Sequence, residues 1–129
     1  MAFSALRNNA SDGVGANQNI VFDHVQVNQG NGYHSHHGLF IAPRSGIYFF
    51  TVSLLHYPQS QASHPRIIKN GAVVARFHAA ANQWEQTSQS IILNVNAGEE
   101  IYVKNEDYGN EIYVASLHSS FSGFLLWQL

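Results

Sequence analysis

The run Gly46-Ile47-Tyr48-Phe49-Phe50-Thr51-Val52 carries bulky apolar side chains at consecutive positions. In an extended chain, successive side chains point to opposite faces. Tyr48, Phe50 and Val52 then cover one face, and Ile47 and Phe49 the other. The C-terminal stretch repeats the pattern, with Phe121, Gly123, Leu125 and Trp127 alternating with Ser122, Phe124 and Leu126. One face of such a strand packs on a partner sheet. The other needs cover too, and a sandwich of 129 residues has no third layer to supply it. The economical cover is a further subunit, the alternative being loops folded over the sheet.

Strand signals dominate the rest of the chain. Runs rich in Val, Ile, Tyr and Phe, bounded by Gly, Asn, Pro and Ser, predict strands over 3–7, 20–27, 38–41, 46–55, 66–69, 72–77, 86–95, 100–104, 112–115 and 119–129. Asn70-Gly71 between Arg66-Ile67-Ile68-Lys69 and Ala72-Val73-Val74-Ala75 predicts a tight hairpin, because both central residues of a type I′ turn need positive φ. Asn96-Ala97-Gly98-Glu99 joins the next pair of strands in the same way. The nearest helix candidate, 77–85, is short and interrupted by Asn82. The expected fold is all-β, a sandwich or jelly roll forming one domain over residues 1–129.

Composition narrows the partners. Charged residues make up 11% of the chain, against about 25% in an average soluble domain. Twelve Asn, nine Gln and thirteen Ser take over the surface. The net charge is −2 with no basic cluster, which argues against nucleic acid. No apolar run approaches the roughly 20 residues of a spanning helix, so membrane insertion is not expected. Met1-Ala2-Phe3-Ser4 lacks the basic start and greasy stretch of a leader. Absence of cysteine removes disulfides, thiolate zinc sites and a cysteine nucleophile. Histidine is in excess: eight copies against six Lys and Arg, so full protonation turns a net charge of −2 into +6.

The aromatic spacing is specific. Phe22, Asn28, Tyr33 and Phe40 precede Gly46-Ile47-Tyr48-Phe49-Phe50 at fixed intervals. Ala2-Phe3-Ser4-Ala5 opens the chain, and Phe121-Ser122-Gly123-Phe124-Leu125-Leu126 nearly closes it. Ala42-Pro43 before Gly46, and Ala97-Gly98-Glu99-Glu100-Ile101, also fit. This pattern resembles the globular head of complement C1q, in the C1q/TNF superfamily, over essentially the whole chain. Val52 departs from it, standing where the family has Phe or Tyr. The resemblance implies a ten-stranded jelly-roll β-sandwich of the C1q/TNF type, assembled as a compact homotrimer. It also implies kinship with invertebrate, especially molluscan, C1q-domain proteins, which often act as secreted lectin-like recognition molecules.

Two constellations raise metal binding. In Tyr33-His34-Ser35-His36-His37, an extended strand puts His34 and His36 on one face, a spacing able to bite one ion. No neighbouring Cys or carboxylate completes four ligands, and a polar strand leading into the core is the plainer reading. Glu106-Asp107 sits in an oxygen-rich loop, 104–111. Calcium wants six to eight oxygens, and the resemblance adds that several relatives hold calcium near the trimer apex. Calcium is thus the one cofactor entertained, against a plain solvated turn. Asn9-Ala10-Ser11 is a glycosylation sequon that matters only in a secreted chain.

Catalysis is not expected. Asp23 and His24 are adjacent and face opposite ways on a strand, His118-Ser119-Ser120 lacks the glycines of a nucleophile elbow, and there is no Gly-rich phosphate loop. A binding face follows from topology instead. In an up-and-down antiparallel order, alternate connections share an end. The tight turns at Asn70-Gly71 and Ala97-Gly98 mark one end; the longer connections 56–65, 77–85 and 105–111 mark the other. That end offers His56, Tyr57, Gln59, Gln61, His64, Arg66, His78, Asn82, Trp84, Asp107 and Tyr108, of which His56, Tyr57, His64, Arg66, Trp84, Asp107 and Tyr108 are the ligand-binding candidates. Trp84 is left open between core and surface. The expected function is a secreted, lectin-like pattern-recognition protein of innate immunity that binds glycans or microbial surface ligands as a trimer. The alternatives are a cytokine-like or organiser-like ligand for a protein receptor, and a secreted structural or metal-binding protein.

Overall fold

A computed structural model describes residues 1–8, 13–106 and 109–129. The strands are β1 (Ala2–Leu6), β2 (His24–Gln29), β3 (Tyr33–His34), β4 (Leu39–Ile41), β5 (Gly46–His56), β6 (Arg66–Lys69), β7 (Ala72–Arg76), β8 (Glu85–Val95), β9 (Glu100–Lys104) and β10 (Ser120–Gln128). They form two five-stranded antiparallel sheets, ordered β2-β1-β10-β5-β8 and β3-β4-β9-β6-β7. The all-β jelly roll read from the sequence is the fold observed, and no helix occurs among the described residues.

The two sheets meet over an aromatic centre. Alternation along β5 sends Tyr48, Phe50, Val52 and Leu54 inward, each fully buried. Phe3 from β1 stacks on Phe40 of β4 at 4.7 Å and meets Phe121 of β10 edge-on at 4.8 Å. The widely spaced aromatics of the sequence pattern therefore converge on one cluster. Its other members have local tasks. Asn28 Nδ2 donates to the Tyr33 carbonyl and its Oδ1 accepts from the Tyr33 N–H, which closes the β2–β3 connection. The Tyr33 hydroxyl donates to the Phe22 carbonyl at 2.7 Å and fastens a segment that carries no strand of its own. Burial pushes the Tyr33 phenol well above its usual range. Gly123 sits where the sheets close most tightly: a Cβ there would lie 2.6 Å from Phe50 Cδ1 and 2.9 Å from Phe3 Cε1.

Several boundaries differ from expectation. The predicted strand 112–115 is reduced to an isolated bridge between His56 and Tyr113. The predicted strand 20–27 begins only at His24, because Ile20 and Phe22 are buried plugs held by Val103 and Tyr33 rather than ladder residues. The polar strand read over 33–37 is confined to the two residues of β3. The Asn70-Gly71 hairpin is as expected, with φ of 48° and 90°.

The outward side of the β2-β1-β10-β5-β8 sheet answers the two-sided pattern. Phe49 pairs across the strands with Phe124 and Ile92. Phe124, Ile92, Leu126 and Trp127 are exposed, Trp127 by 68%. A groove of about 340 Å³ opens on this face between Val27, Phe49 and Phe124. Phe49 thus lies on the uncovered side, and no loop among the described residues covers it.

Candidate functional site

Register fixes which loops share an end. Ser45, Asn70, Asn96 and the Glu99–Glu100 pair are tied together by Asn70 N–H to the Glu100 carbonyl and Ala97 N–H to Ser45 Oγ. At the opposite end, His56 bridges Tyr113, Ser63 bridges Ala79 and Val14 bridges Glu111. Gln59 laces these loops: its carbonyl accepts from Asn82 N–H, its Nε2 donates to the Asn110 carbonyl, and its Oε1 accepts from Ile112 N–H.

Beneath this end runs a buried polar network. His56 Nε2 lies 2.7 Å from Glu111 Oε2, with both side chains fully buried. The Tyr113 hydroxyl is 2.7 Å from Ser63 Oγ and donates to Asn105 Oδ1. Asn105 Nδ2 donates to the carbonyls of Val14 and Gly15. Arg7 Nε donates to the Tyr113 carbonyl and Nη1 to that of Val21. Desolvation lowers the Arg7 pKa from its ordinary value, an effect opposed by Asp23. Each contact joins segments distant in sequence, so the loop end rests on a rigid floor.

The expected ligand-binding residues separate into three groups. His56 is corrected: it is the last residue of β5, in phase with Tyr48, Phe50, Val52 and Leu54, and points into the core. It cannot reach a surface ligand. Tyr57 and Trp84 come together, with ring centroids 5.1 Å apart at 74°, and are 45% and 58% exposed. Trp84 is a surface residue. On the neighbouring sheet, His64 Nε2 lies 3.0 Å from His78 Nδ1. Arg66 Nη1 donates to Glu106 Oε1 at 3.0 Å and Nη2 to Asn17 Oδ1. Arg76 Nη1 donates to the same carboxylate oxygen. Asp107, Tyr108 and the sequon Asn9-Ala10-Ser11 lie outside the described residues.

The histidine reading needs revision. β3 ends at His34, and His37 N–H and Gly38 N–H turn back to the His34 carbonyl, so His34 and His36 do not line one strand face. Glu106 has one carboxylate oxygen committed to two guanidinium groups, and the Arg76 contact above all holds its carboxyl below the usual range. Among the described residues no three His, Cys, Asp or Glu converge as a metal cluster. Asp107, the other residue of the calcium reading, lies outside the described residues.

Arg76, Glu85 and Glu111 were not among the residues proposed from sequence. Glu85 caps the loop below Trp84, accepting from Ala80 N–H at 3.0 Å and Gln83 Nε2 at 3.1 Å. The Ala80 contact chiefly lowers its carboxyl pKa. The sequence carried no signal for Arg76: a regular hairpin centred on Asn70-Gly71 sets Ala75 across from Arg66, and the register shift between Ile67 and Ile68 brings Arg76 there instead.

No described helix is long and apolar enough to cross a membrane. The family model for the C1q domain matches residues 2–126. Complement C1q tumor necrosis factor-related protein 3 of Mus musculus is 29% identical over 120 residues, covering 87% of this chain and 46% of that protein; the Homo sapiens protein gives the same figures. The chain therefore spans less than half the length of these curated relatives. Among solved structures, the globular domain of zebrafish complement 1qA superposes with a TM-score of 0.83 at 18% identity, covering 99% of this chain and 98% of that one. Eiger TNF from S. frugiperda gives 0.78 at 11% identity, covering 100% and 92%. Murine APRIL at pH 5.0 gives 0.78 at 15% identity, covering 99% and 98%. These low identities speak for the fold alone. Domains of this type are ligand-binding and signalling modules rather than enzymes. Sequence pattern, fold and a match over nearly the whole length agree that the chain belongs to the C1q domain family.

Proposed function

We propose that the chain is a secreted recognition protein that acts as a homotrimer and binds glycans or microbial surface ligands through its long-loop end. The observation that carries this reading is the exposed Tyr57–Trp84 pair. An aromatic face covers the C–H patch of a sugar, while the amide of Gln83, next to Trp84 in the chain, serves its hydroxyls. The rigid polar floor supports such a site, since ordered loops lose less freedom on binding. The outward face around Phe49, Phe124, Ile92 and Trp127 supports the trimer, with a second copy of the chain as its cover. Three weak sites facing one way give avidity on a repetitive surface. A glycan array probed with and without calcium, using the wild type and Trp84→Ala, tests the reading. Signal that depends on Trp84 supports it.

The second reading is a cytokine-like ligand for a protein receptor. The same aromatic pair favours it, because exposed Trp and Tyr anchor protein interfaces, and the matched relatives carry tumor necrosis factor in their name. A silent glycan array combined with Trp84-dependent binding to cells treated with glycosidases would put this reading first.

A further inference from the structure

The β6–β7 hairpin extends three residues beyond its named strands, to Ser63 and Ala79, and there it builds a histidine clamp. Ser63 and Ala79 exchange both backbone hydrogen bonds at 2.9 Å, and Phe77 N–H donates to the Pro65 carbonyl at 2.9 Å. His64 and His78 lie between these two hydrogen-bonded pairs. They are therefore directly opposed at a non-hydrogen-bonded position, where cross-strand side chains approach most closely. Ser63, Pro65, Phe77 and Ala79 are all buried. Alternation then forces both imidazoles outward, and neither can turn into the core. His64 Nε2 and His78 Nδ1 stand 3.0 Å apart, with ring centroids at 5.0 Å.

We infer that His64 and His78 form a binding site for a divalent transition-metal ion such as Zn²⁺, with His64 Nε2 and His78 Nδ1 as its two protein ligands. Two nitrogens bound tetrahedrally at about 2.0–2.1 Å from zinc stand roughly 3.3 Å apart. The observed spacing needs to open by only a few tenths of an ångström. Imidazole suits zinc, copper and nickel and is a poor ligand for calcium. In the metal-free protein one ring donates its N–H to the other. Binding requires no net loss of a proton from neutral rings: the donor ring carries its hydrogen on its other nitrogen, and both lone pairs face the ion.

Among the described residues no third His, Cys, Asp or Glu joins the pair as a metal cluster, so the site rests on these two nitrogens alone. The charges around the clamp are mixed. Arg66 and Arg76 lie two residues away along the same strands, partly neutralised by Glu106, and the carboxylate of Glu85 interacts electrostatically with His78. This site is independent of the glycan reading, since neither Tyr57 nor Trp84 takes part.

The test is titration of the tag-free full chain with Zn²⁺ by calorimetry. One ion per chain is expected, with affinity reduced roughly tenfold or more in both His64→Ala and His78→Ala. Both variants are expected to keep the wild-type circular dichroism, because the rings lie outside the core. His34→Ala combined with His36→Ala leaves binding unchanged. Absence of Zn²⁺ binding to the wild type, or binding that survives His64→Ala and His78→Ala, overturns the inference. So does loss of binding in the His34/His36 variant alone. Glycan binding unaffected by loss of the ion leaves the inference standing, because the two readings rest on different residues.

Discussion

His56 and Glu111 are 55 positions apart in sequence, yet His56 Nε2 sits 2.7 Å from Glu111 Oε2 beneath the long loops, with no solvent access to either side chain. The contact joins the end of β5 to the segment that returns after β9. His56 Nδ1 and Glu111 Oε1 have no hydrogen-bond partner among the described residues, so the pair depends on its single shared proton. Removing one member leaves the other buried and uncompensated. Glu111→Ala and His56→Ala should each cost about 3 kcal/mol or more. Replacing both by apolar residues should cost less than the two single changes together. Denaturant midpoints of the single and double variants check this; strictly additive losses would show that the two groups do not act as a pair.

The proposed trimer rests on the outer face of the β2-β1-β10-β5-β8 sheet. Phe124 and Ile92 flank Phe49 on its uncovered side, and in that trimer a charge placed there would meet the apolar face of a neighbouring copy. Phe124→Asp or Ile92→Asp should convert the trimer to monomer at micromolar concentration in sedimentation velocity. Val73→Asp, at an exposed position on the other sheet, should leave the trimer intact. A wild-type monomer of 14.3 kDa would remove the basis for the trimer.

Glu106 makes stability depend on acid in a defined direction. Arg76, with Arg66 beside it, holds its carboxyl below the usual range. Lys104, opposite Arg66 in the register, adds further positive charge nearby. A lowered folded-state pKa gives stability that is present above the unfolded value, about 4.3 for glutamate, and lost as pH falls through the folded value. Glu106→Gln should therefore be less stable than wild type at neutral pH, with the gap closing towards about pH 3. A gap that stays constant over that range would mean the carboxylate's charge contributes nothing. The partly exposed setting of the pair keeps the effect small.

The sheets were legible because their physics is local. The two-sided alternation of 46–55 and the positive-φ demand of Asn70-Gly71 each act within a few residues, and both appear in the structure as expected. The alternation also carried a signal that was passed over. Extending β5 by one residue keeps His56 in phase with Leu54 and turns it inward. Its partner Glu111 left no local trace, since a contact across so many residues depends on how the loops close. The strand expected at 112–115 failed for the same reason: Tyr113 is buried by its hydroxyl's hydrogen bonds to Ser63 and Asn105, not by a ladder. His34 and His36 were misplaced because a turn, not a strand, follows β3. At the candidate site, the loops 56–65 and 77–85 were assigned to one end correctly. The meeting of Tyr57 with Trp84 was not legible, because either ring alone fits a core or a surface position.

Retention of the intact protein on an immobilised polysaccharide or bacterial surface is the most direct measurement of whether the loop end recognises carbohydrate. Retention should be strong for the assembled protein and weak against a free monosaccharide competitor, because single shallow sites bind poorly. Tyr57→Ala and Trp84→Ala should each reduce retention several-fold while sedimentation still shows the trimer; the ring pair itself is worth only about 0.5–1.5 kcal/mol, so folding survives. Unchanged retention in both variants, with loss instead on substitution of Asn70 at the tight-turn end, would contradict the assignment of the recognition face.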